Sequence, residues 1–246
     1  MIVFHRGFIA LAALAFLTST AVADEIKAEG GNAEQPDFDV VQTEVTREDN
    51  WLVFSMQVDG QAGATKPAST GALAGSGVFA YVWPTTIKAS EIGFEHALTK
   101  KGILAFAVTA HPDFDDTPLF DENADGDLAN DGDYWHSHWV VLTPDNACGE
   151  GALKVMDVPE GTNPNMPKTW PGLPIMIDSP GYAPLVSENS ITVRVPLDNL
   201  TSLHNVSFDG VTSALQVNAE VHAPLLCVTD VFDVASGDLS LPGKLK

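Results

Sequence analysis

The sequence predicts an all-β protein: an antiparallel β-sandwich, immunoglobulin-like or jelly-roll-like, with long loops and at most short helices. Three observations predict this class. Short segments alternate apolar and polar residues with a period of two, they are rich in β-branched and aromatic side chains, and Gly, Pro, Asn or Asp separates them. Such spacing is typical of antiparallel sheets that pack face to face.

The individual elements follow from this alternation. In NWLVFSMQV, for example, Leu52, Phe54 and Met56 share one face of the strand. Residues 90–100 (SEIGFEHALTK) predict a short helix, and the proline-rich segment 157–187 predicts a long ordered loop. The predicted strands are 50–58, 77–83, 102–110, 134–143, 189–196, 214–223 and 225–234, with a tight corner at 222–224 between the last two.

Residues 37–246 are predicted to form one domain, because no internal repeat or linker divides them. A polar segment, 24–36, precedes this domain and is predicted to be a flexible leader. Residues 1–23 have Arg6 near their start, an apolar run and the small-residue ending AVA, which is the layout of a secretory signal peptide. We therefore expect cleavage near Ala23 and a periplasmic or secreted protein; an uncleaved membrane anchor is the alternative.

The charge of the chain is strongly negative. Twelve basic and 33 acidic residues give a formal net charge of −21. A surface of this sign repels phosphate backbones and anionic lipids, so nucleic-acid binding and membrane insertion are not expected. Cations are the partners that it favours.

Cys148 and Cys227 are the two cysteines of the sequence. In an oxidising compartment an even pair predicts a disulfide. Closing so long a loop would contribute on the order of 4 kcal/mol in the chain-entropy account. The alternative role is that of thiolate metal ligands.

An acidic loop, DENADGDLANDGD (121–133), carries the first half of a calcium-binding pattern. Acidic or amide side chains alternate and Gly126 follows them, which resembles an EF-hand-type loop. Gly132 stands where that family has a bidentate glutamate, so Asp131 or Asp133 would have to close the coordination sphere. The loop thus predicts a structural calcium ion, against the alternative of a solvated acidic turn. The predicted ligands are Asp121, Asn123, Asp125, Asp127, Asp131 and Asp133, with Asp113, Asp115 and Asp116 upstream as further oxygen donors, to the same or a second ion, or as turn caps.

A histidine pair follows in YWHSHWVVLT. Side chains alternate along a strand, so His136 and His138 share one face with Cα atoms roughly 6.6 Å apart and can chelate one copper or zinc ion. His111 is the preferred third ligand because the acidic loop runs from it to the pair; His222 is the second choice. The alternative is that both histidines are polar residues of a sheet edge, satisfied by carbonyl or carboxylate groups.

Two resemblances to known families are carried by short motifs. DFDVVQTEVTREDNWLVFSMQVDG (37–60) resembles the first strands of DOMON-like and family-nine carbohydrate-binding sandwiches. The first likeness implies a ligand-binding sandwich, with Met56 and His222 as the residues that a haem iron would use. HSHW together with the calcium loop is similar to the surface copper proteins of methane-oxidising bacteria, which implies calcium beside a histidine copper site.

Three functions remain open at this point. The leading hypothesis is an exported, calcium-stabilised sandwich that binds copper, zinc or another small ligand without turnover. The second is a metal-dependent enzyme that uses His111, His136 and His138. The third is a carbohydrate-binding module in which Trp51, Trp83 or Trp170 would stack on a glycan. No nucleophile elbow, Walker loop or H-E-x-x-H is present, so no catalytic residue is predicted.

Overall fold

The structure is a computed structural model that describes residues 25–197, 200, 203, 205–220 and 224–245. The predicted signal peptide and His222 lie outside the described residues. Among the described residues antiparallel strands dominate, with the helical turn α1 (His96–Thr99) and short 3₁₀ segments at Pro36–Phe38, Ala89–Ile92 and Asn146–Cys148. The strands are β1 Ile26–Lys27, β2 Val40–Glu48, β3 Trp51–Val58, β4 Gly77–Pro84, β5 Ile103–Ala110, β6 His136–Pro144, β7 Leu153–Val155, β8 Ile177–Asp178, β9 Leu185–Ser187, β10 Ser190–Pro196, β11 Ser207–Phe208, β12 Val211–Val217, β13 Leu226–Val234 and β14 Gly243–Lys244.

The smaller of the two main sheets has five strands in the order β1-β2-β3-β10-β9. Its first strand comes from the segment predicted as a flexible leader: Ile26 pairs with Thr43 of β2 and is buried. This pairing holds the beginning of that segment against the sheet.

The larger sheet closes on itself. Its order is β5-β4-β12-β13-β7-β6, and β6 also pairs with β5 over seven positions, from Ile103↔Leu142 to Thr109↔His136. Strand β8 pairs with β6 at Trp139 and Val140, next to the residues of β6 that pair with β7, and Ile177 of β8 belongs to the barrel core. The predicted all-β antiparallel class is confirmed, whereas the closed six-stranded barrel was not predicted. The finer description as an immunoglobulin-like or jelly-roll-like sandwich is not established by these pairings.

The alternation along β5 and β6 divides the apolar side chains between two cores. Phe106 and Trp139 face the five-stranded sheet, where Phe54 stacks on Phe106 with ring centroids 4.6 Å apart. Their neighbours Ala107 and Val140 face the barrel interior. The side-chain period of two therefore makes one strand serve both cores.

The barrel is narrowly joined between β13 and β7. A single residue pair, Cys227↔Lys154, links the two strands. The disulfide between Cys148 and Cys227 crosses the same place, which confirms the predicted pairing of the cysteines. We call this junction the β7–β13 seam. Among the described residues, one pair of strand residues and one disulfide bond hold it together.

The predicted helix at 90–100 is present only as the short 3₁₀ segment and the single turn α1. Within the described part of the chain, no helix has both the length and the apolar character required to span a bilayer.

Candidate metal centre

Four buried side chains converge at the end of the barrel where β5 ends and β6 begins. They are His111, Asp116, His136 and His138, each 1–6% exposed. Asp116 Oδ1 lies 3.2 Å from His111 Nε2, 3.1 Å from His136 Nε2 and 3.2 Å from His138 Nε2. His111 Nε2 and His136 Nε2 are 3.1 Å apart. We call these four residues the histidine–aspartate centre.

The local structure explains this convergence. His136 and His138 lie opposite Thr109 and Ala107 in the β5–β6 register, so both rings point into the barrel. His111 follows the last residue of β5, and its backbone N–H donates to the carbonyl oxygen of Gly132 over 2.8 Å. The two ends of the acidic loop are therefore joined, as the sequence analysis expected when it chose His111 as the third ligand.

Hydrogen bonds fix the orientation of the first two rings. His136 Nδ1 lies 2.7 Å from the carbonyl oxygen of Tyr134, and His111 Nδ1 lies 2.9 Å from that of Phe114. A carbonyl oxygen can only accept, so each Nδ1 carries the proton and donates it. In the neutral ring, Nε2 is then left with a lone pair, which in both residues points at the centre.

The third ring is fixed in the same way through a hydroxyl group. Ser179 Oγ donates its only proton to the carbonyl oxygen of Asp116 over 2.7 Å. It therefore accepts from His138 Nδ1, which lies 3.1 Å away. Such outer partners are what orient metal-binding imidazoles in proteins and set their tautomer.

The four donor atoms are electron-rich and close together, yet poorly satisfied by one another. Among the described residues, Asp116 Oδ1 and His138 Nε2 are buried without an aligned hydrogen-bond partner. Lone pairs and a carboxylate held at 3.1–3.2 Å in a buried site repel one another unless a cation lies between them. The four residues could therefore hold a metal ion, with protons as the alternative cation.

The spacing of the donors also carries information about coordination. A tetrahedral ion with ligands at 2.0–2.1 Å separates any two of them by about 3.3–3.4 Å. Asp116 Oδ1 is nearly equidistant, 3.1–3.2 Å, from all three ring nitrogens. In a square plane one of those nitrogens would lie opposite the oxygen, at about 4 Å. The set therefore fits a tetrahedral ion better than a planar one.

The pKa shifts of Asp116 and His138 favour the forms that bind a metal ion, whereas the shift of His136 favours its protonated ring. Burial would raise the pKa of the Asp116 carboxyl, but its electrostatic and hydrogen-bonding contacts with the three rings outweigh burial and hold that pKa well below its usual range. Burial likewise dominates at His138 and lowers its pKa, whereas at His136 the contact with Asp116 overcomes burial and raises the pKa. An ionised carboxylate beside the neutral His138 ring is the ligand form of both groups.

Asp116 is the member of the centre that the sequence analysis placed elsewhere, as a donor for calcium or a turn cap. Its neighbours show why the three aspartates of HPDFDD differ. Asp113 is half-buried and accepts hydrogen bonds from the backbone N–H groups of Thr70 and Gly71, whereas Asp116 is buried and points to the three rings. The only sequence signal for Asp116 was its position five residues after His111.

A second group of side chains forms an all-oxygen cluster beside the first. Carboxylates of Asp115, Glu122 and Asp131 each offer an oxygen within 4.8 Å of the others. Asp115 Oδ2 and Asp131 Oδ1 are buried and have no hydrogen-bond partner among the described residues. Burial and the nearby charge of Asp131 raise the pKa values of Asp115 and Glu122. We call these residues the carboxylate trio.

The predicted calcium ligands are distributed differently from the expected pattern. Asp131 belongs to the carboxylate trio, but Asp121 accepts hydrogen bonds from the backbone N–H groups of Asp125 and Gly126. Asn123 also accepts from the backbone of Asp125. Further along the loop, Asp125 accepts a hydrogen bond from the backbone N–H of Asp127, and Asp127 accepts one from that of Ala129. Asp133 lies 4.0 Å from Lys66 Nζ. Calcium coordination by this set remains a prediction.

Gly132 is required by the close packing under the centre. A Cβ atom at this position would overlap the carbonyl oxygen of Phe114 and lie 3.0 Å from His111 Nδ1. We expect Gly132→Ala to displace His111 and to weaken zinc binding about 10- to 100-fold, as loss of an outer partner does. Zinc titration calorimetry would measure this. Gly30→Ala is the control, because its Cβ would meet only ordinary contacts of 3.4 Å or more; equal affinities of the two variants would contradict the prediction.

A large cavity adjoins the centre inside the barrel. Its volume is about 580 Å³, and His111, Asp116 and His138 are on its wall with Thr109. Apolar residues such as Ala80, Val82, Val140 and Leu215 form most of the rest. Three of the four candidate ligands are therefore accessible from a space that can hold a small molecule.

Asp178 on β8 is a buried carboxyl group near the centre, preceding the Ser179 that holds His138. Burial raises its pKa to about 6. Since the folded pKa exceeds the unfolded one, this carboxyl favours the folded state below about pH 4, and that contribution is lost as the pH rises through 6. Asn at this position can still accept the hydrogen bond from Thr169 Oγ1.

We therefore expect Asp178→Asn to match the wild type near pH 4 and to be more stable by about 2 kcal/mol near pH 8. Urea unfolding across this pH range measures the difference. Asp230→Asn, at an exposed position on β13, is the control. A difference between Asp178→Asn and the wild type that did not change with pH would contradict the expectation.

Two other expectations concern residues that the fold buries. Met56 is 1% exposed and Trp83 is fully buried, both in the core between the two main sheets. Trp83 therefore cannot stack on a glycan, and its prediction as a stacking residue is wrong. Trp51 and Trp170 are partly exposed, at 38% and 36%.

No protein-family model, curated protein or solved structure matches this chain. The resemblances to DOMON-like, carbohydrate-binding and copper-binding proteins are thus neither supported nor opposed by a relative. The function has to be inferred from the geometry of the centre itself.

Proposed function

We propose that the protein binds one transition-metal ion through His111, Asp116, His136 and His138. The observation that carries this proposal is the convergence of three ring nitrogens on Asp116 Oδ1 at 3.1–3.2 Å, with every ring oriented by a hydrogen bond at Nδ1. Nitrogen donors of this kind suit zinc and copper. The tetrahedral spacing favours zinc.

Binding without turnover is the leading form of this proposal. Four protein ligands complete a tetrahedral sphere, as in structural zinc sites, whereas catalytic sites usually keep one position for water or substrate. A metal-dependent enzyme is the second candidate, and one observation favours it: the centre lies on the wall of the 580 Å³ cavity. Sites open to such a cavity can admit a further ligand to the ion.

Elemental analysis of the purified protein tests the proposal. We expect close to one zinc or copper ion per chain, removal of that ion by a chelator, and its return on titration. His138→Ala should lose the ion, whereas His96→Ala should keep it because His96 is exposed on α1, away from the centre. Metal-free protein that takes up neither zinc nor copper would overturn the proposal.

Calcium is proposed as a second ion, held by the carboxylate trio. A hard dication prefers several oxygen ligands, and here two buried carboxylate oxygens have no other described partner. Bound calcium would join Asp115 to Asp131 across the acidic loop and so hold Asp116, the neighbour of Asp115, in its position. Its role would be structural.

We expect Glu122→Gln to weaken calcium binding at least tenfold in calorimetry of the zinc-loaded protein, because it removes one of three charged ligands. Asp125→Asn is the control, because Asp125 belongs to the alternating pattern of the loop and not to the carboxylate trio; it should keep the calcium affinity of the wild type. If Asp125→Asn lost calcium and Glu122→Gln did not, the alternating set would be the site. Export through the predicted signal peptide completes the proposal and is tested by sequencing the N-terminus of the mature chain.

A further inference from the structure

The cavity of the barrel has a wall that is mostly hydrocarbon. Of its volume of about 580 Å³, the greater part is bounded by apolar side chains from β4, β5, β6, β12 and β13. Cavities of this size and character bind small molecules in other proteins. Among the described residues of the wall, there is no lysine or arginine.

The polar groups near the centre occupy one end of this cavity. The inward residues of β6 lead from His138 through Val140 to Leu142, a distance of about 13 Å at 3.3 Å per residue. The opposite end lies near Leu153, which pairs with Pro144 at the end of β6. An elongated molecule could therefore lie along β6 with one end at the centre.

Thr109 makes the centre end of the cavity suited to an oxygen atom. Its Oγ1 lies 3.1 Å from His136 Nε2, and the residue is 7% exposed. When His136 gives its lone pair to a metal ion, this hydroxyl loses the acceptor of its proton. A buried hydroxyl without a partner is costly, so an oxygen of a ligand would be stabilised there.

Access to the cavity is along the β7–β13 seam. The exposed residues of the wall are Gly151, Thr229, Asp230 and Val231, which border this seam. Asp230 and the net charge of −21 oppose the entry of an anion. A neutral molecule is the chemistry that this entrance favours.

We propose that the barrel binds a neutral, elongated and mainly apolar molecule with a hydroxyl or carbonyl oxygen at one end, which accepts a hydrogen bond from Thr109 beside the metal ion. The position of the oxygen rests on the proposed metal site. Occupation of the cavity by an apolar molecule does not depend on it.

The test uses the neutral fluorescent probe N-phenyl-1-naphthylamine and its displacement from the full-length mature protein. Decan-1-ol should displace the probe from zinc-loaded protein at about five- to tenfold lower concentration than 1-chlorodecane, which is similar in length but accepts hydrogen bonds poorly. Decanoate should displace the probe less effectively than decan-1-ol, because the negative charge of the protein opposes the entry of an anion. In Thr109→Val the two compounds should displace the probe at about equal concentrations, because the hydroxyl that distinguishes them is lost. Zinc content is measured on the same samples.

Filling the cavity is the second arm of the test. Ala80 is 1% exposed on the cavity wall, and Ala80→Phe should weaken probe binding at least tenfold. Val228→Trp, at a half-buried wall position, serves the same purpose if Ala80→Phe does not fold. Leu185→Phe, on the exposed edge of the other sheet, is the control.

The outcomes separate the two proposals. Absence of saturable probe binding by folded wild type, or undiminished binding by the filled variants, would overturn the cavity site. Equal displacement by decan-1-ol and 1-chlorodecane would overturn the assignment of the oxygen to Thr109. If the protein took up no metal but Ala80→Phe still abolished probe binding, the metal proposal alone would fail.

Discussion

Asp116→Asn should bind zinc at least about 100-fold more weakly than the wild type, because loss of a ligand costs more than the 10- to 100-fold of an outer partner. The substitution preserves the shape of the side chain but removes the negative charge on which three ring nitrogens converge. It leaves three neutral imidazoles around a dication in a buried site. Competitive titration with a chromophoric chelator measures the affinity.

The control for this variant lies in the same short segment. Asp113→Asn changes a half-buried carboxylate three positions earlier, which accepts hydrogen bonds from the backbone at residues 70 and 71 and does not contact the centre. It should retain the affinity of the wild type. If Asp116→Asn also retained it, Asp116 would not be a ligand.

Cys148→Ala/Cys227→Ala should lower the free energy of unfolding by about 4 kcal/mol, which corresponds to roughly 10 °C in Tm for a chain of this length. The disulfide closes a loop with a sequence separation of 79 residues, so its loss releases a large ensemble of unfolded conformations. Alanine is preferred to serine because Cys227 is 5% exposed, and a hydroxyl there would need a partner. Urea unfolding of the metal-free protein avoids a contribution from the ion.

Reduced wild-type protein provides the matched comparison for the double variant, since it lacks the same bond but keeps both sulfur atoms. The two should agree within about 1 kcal/mol. A double variant as stable as the oxidised wild type would show that the bond does not constrain the unfolded chain.

The side-chain alternation predicted more of this protein than any other sequence signal. It predicted the antiparallel strands and the shared face of His136 and His138, because a period of two applies to any strand. It could not predict that β5 would pair with β6 and close a barrel, since open and closed sheets show the same alternation. That pairing is a tertiary contact between strands separated by the whole acidic loop.

Within the acidic loop the sequence was less informative, because loops have no periodicity from which to infer direction. Asp115 and Asp116 are neighbours in sequence, yet one contributes to the carboxylate trio and the other to the histidine–aspartate centre. Glu122 falls between the alternating positions that define a calcium loop, so no spacing rule selected it. These assignments depend on backbone turns that only the folded loop specifies.

The β7–β13 seam has a kinetic consequence for any molecule held in the barrel. Because one residue pair and the disulfide join the two strands there, a guest can leave by local parting of this edge, without global unfolding. Residence time would then be set by the opening rate of the seam, and amide hydrogen exchange should be fastest along it. Reduction of the disulfide would shorten the residence time of the bound molecule without removing a ligand of the metal centre. The oxidation state of Cys148 and Cys227 would thus govern how long the molecule stays bound.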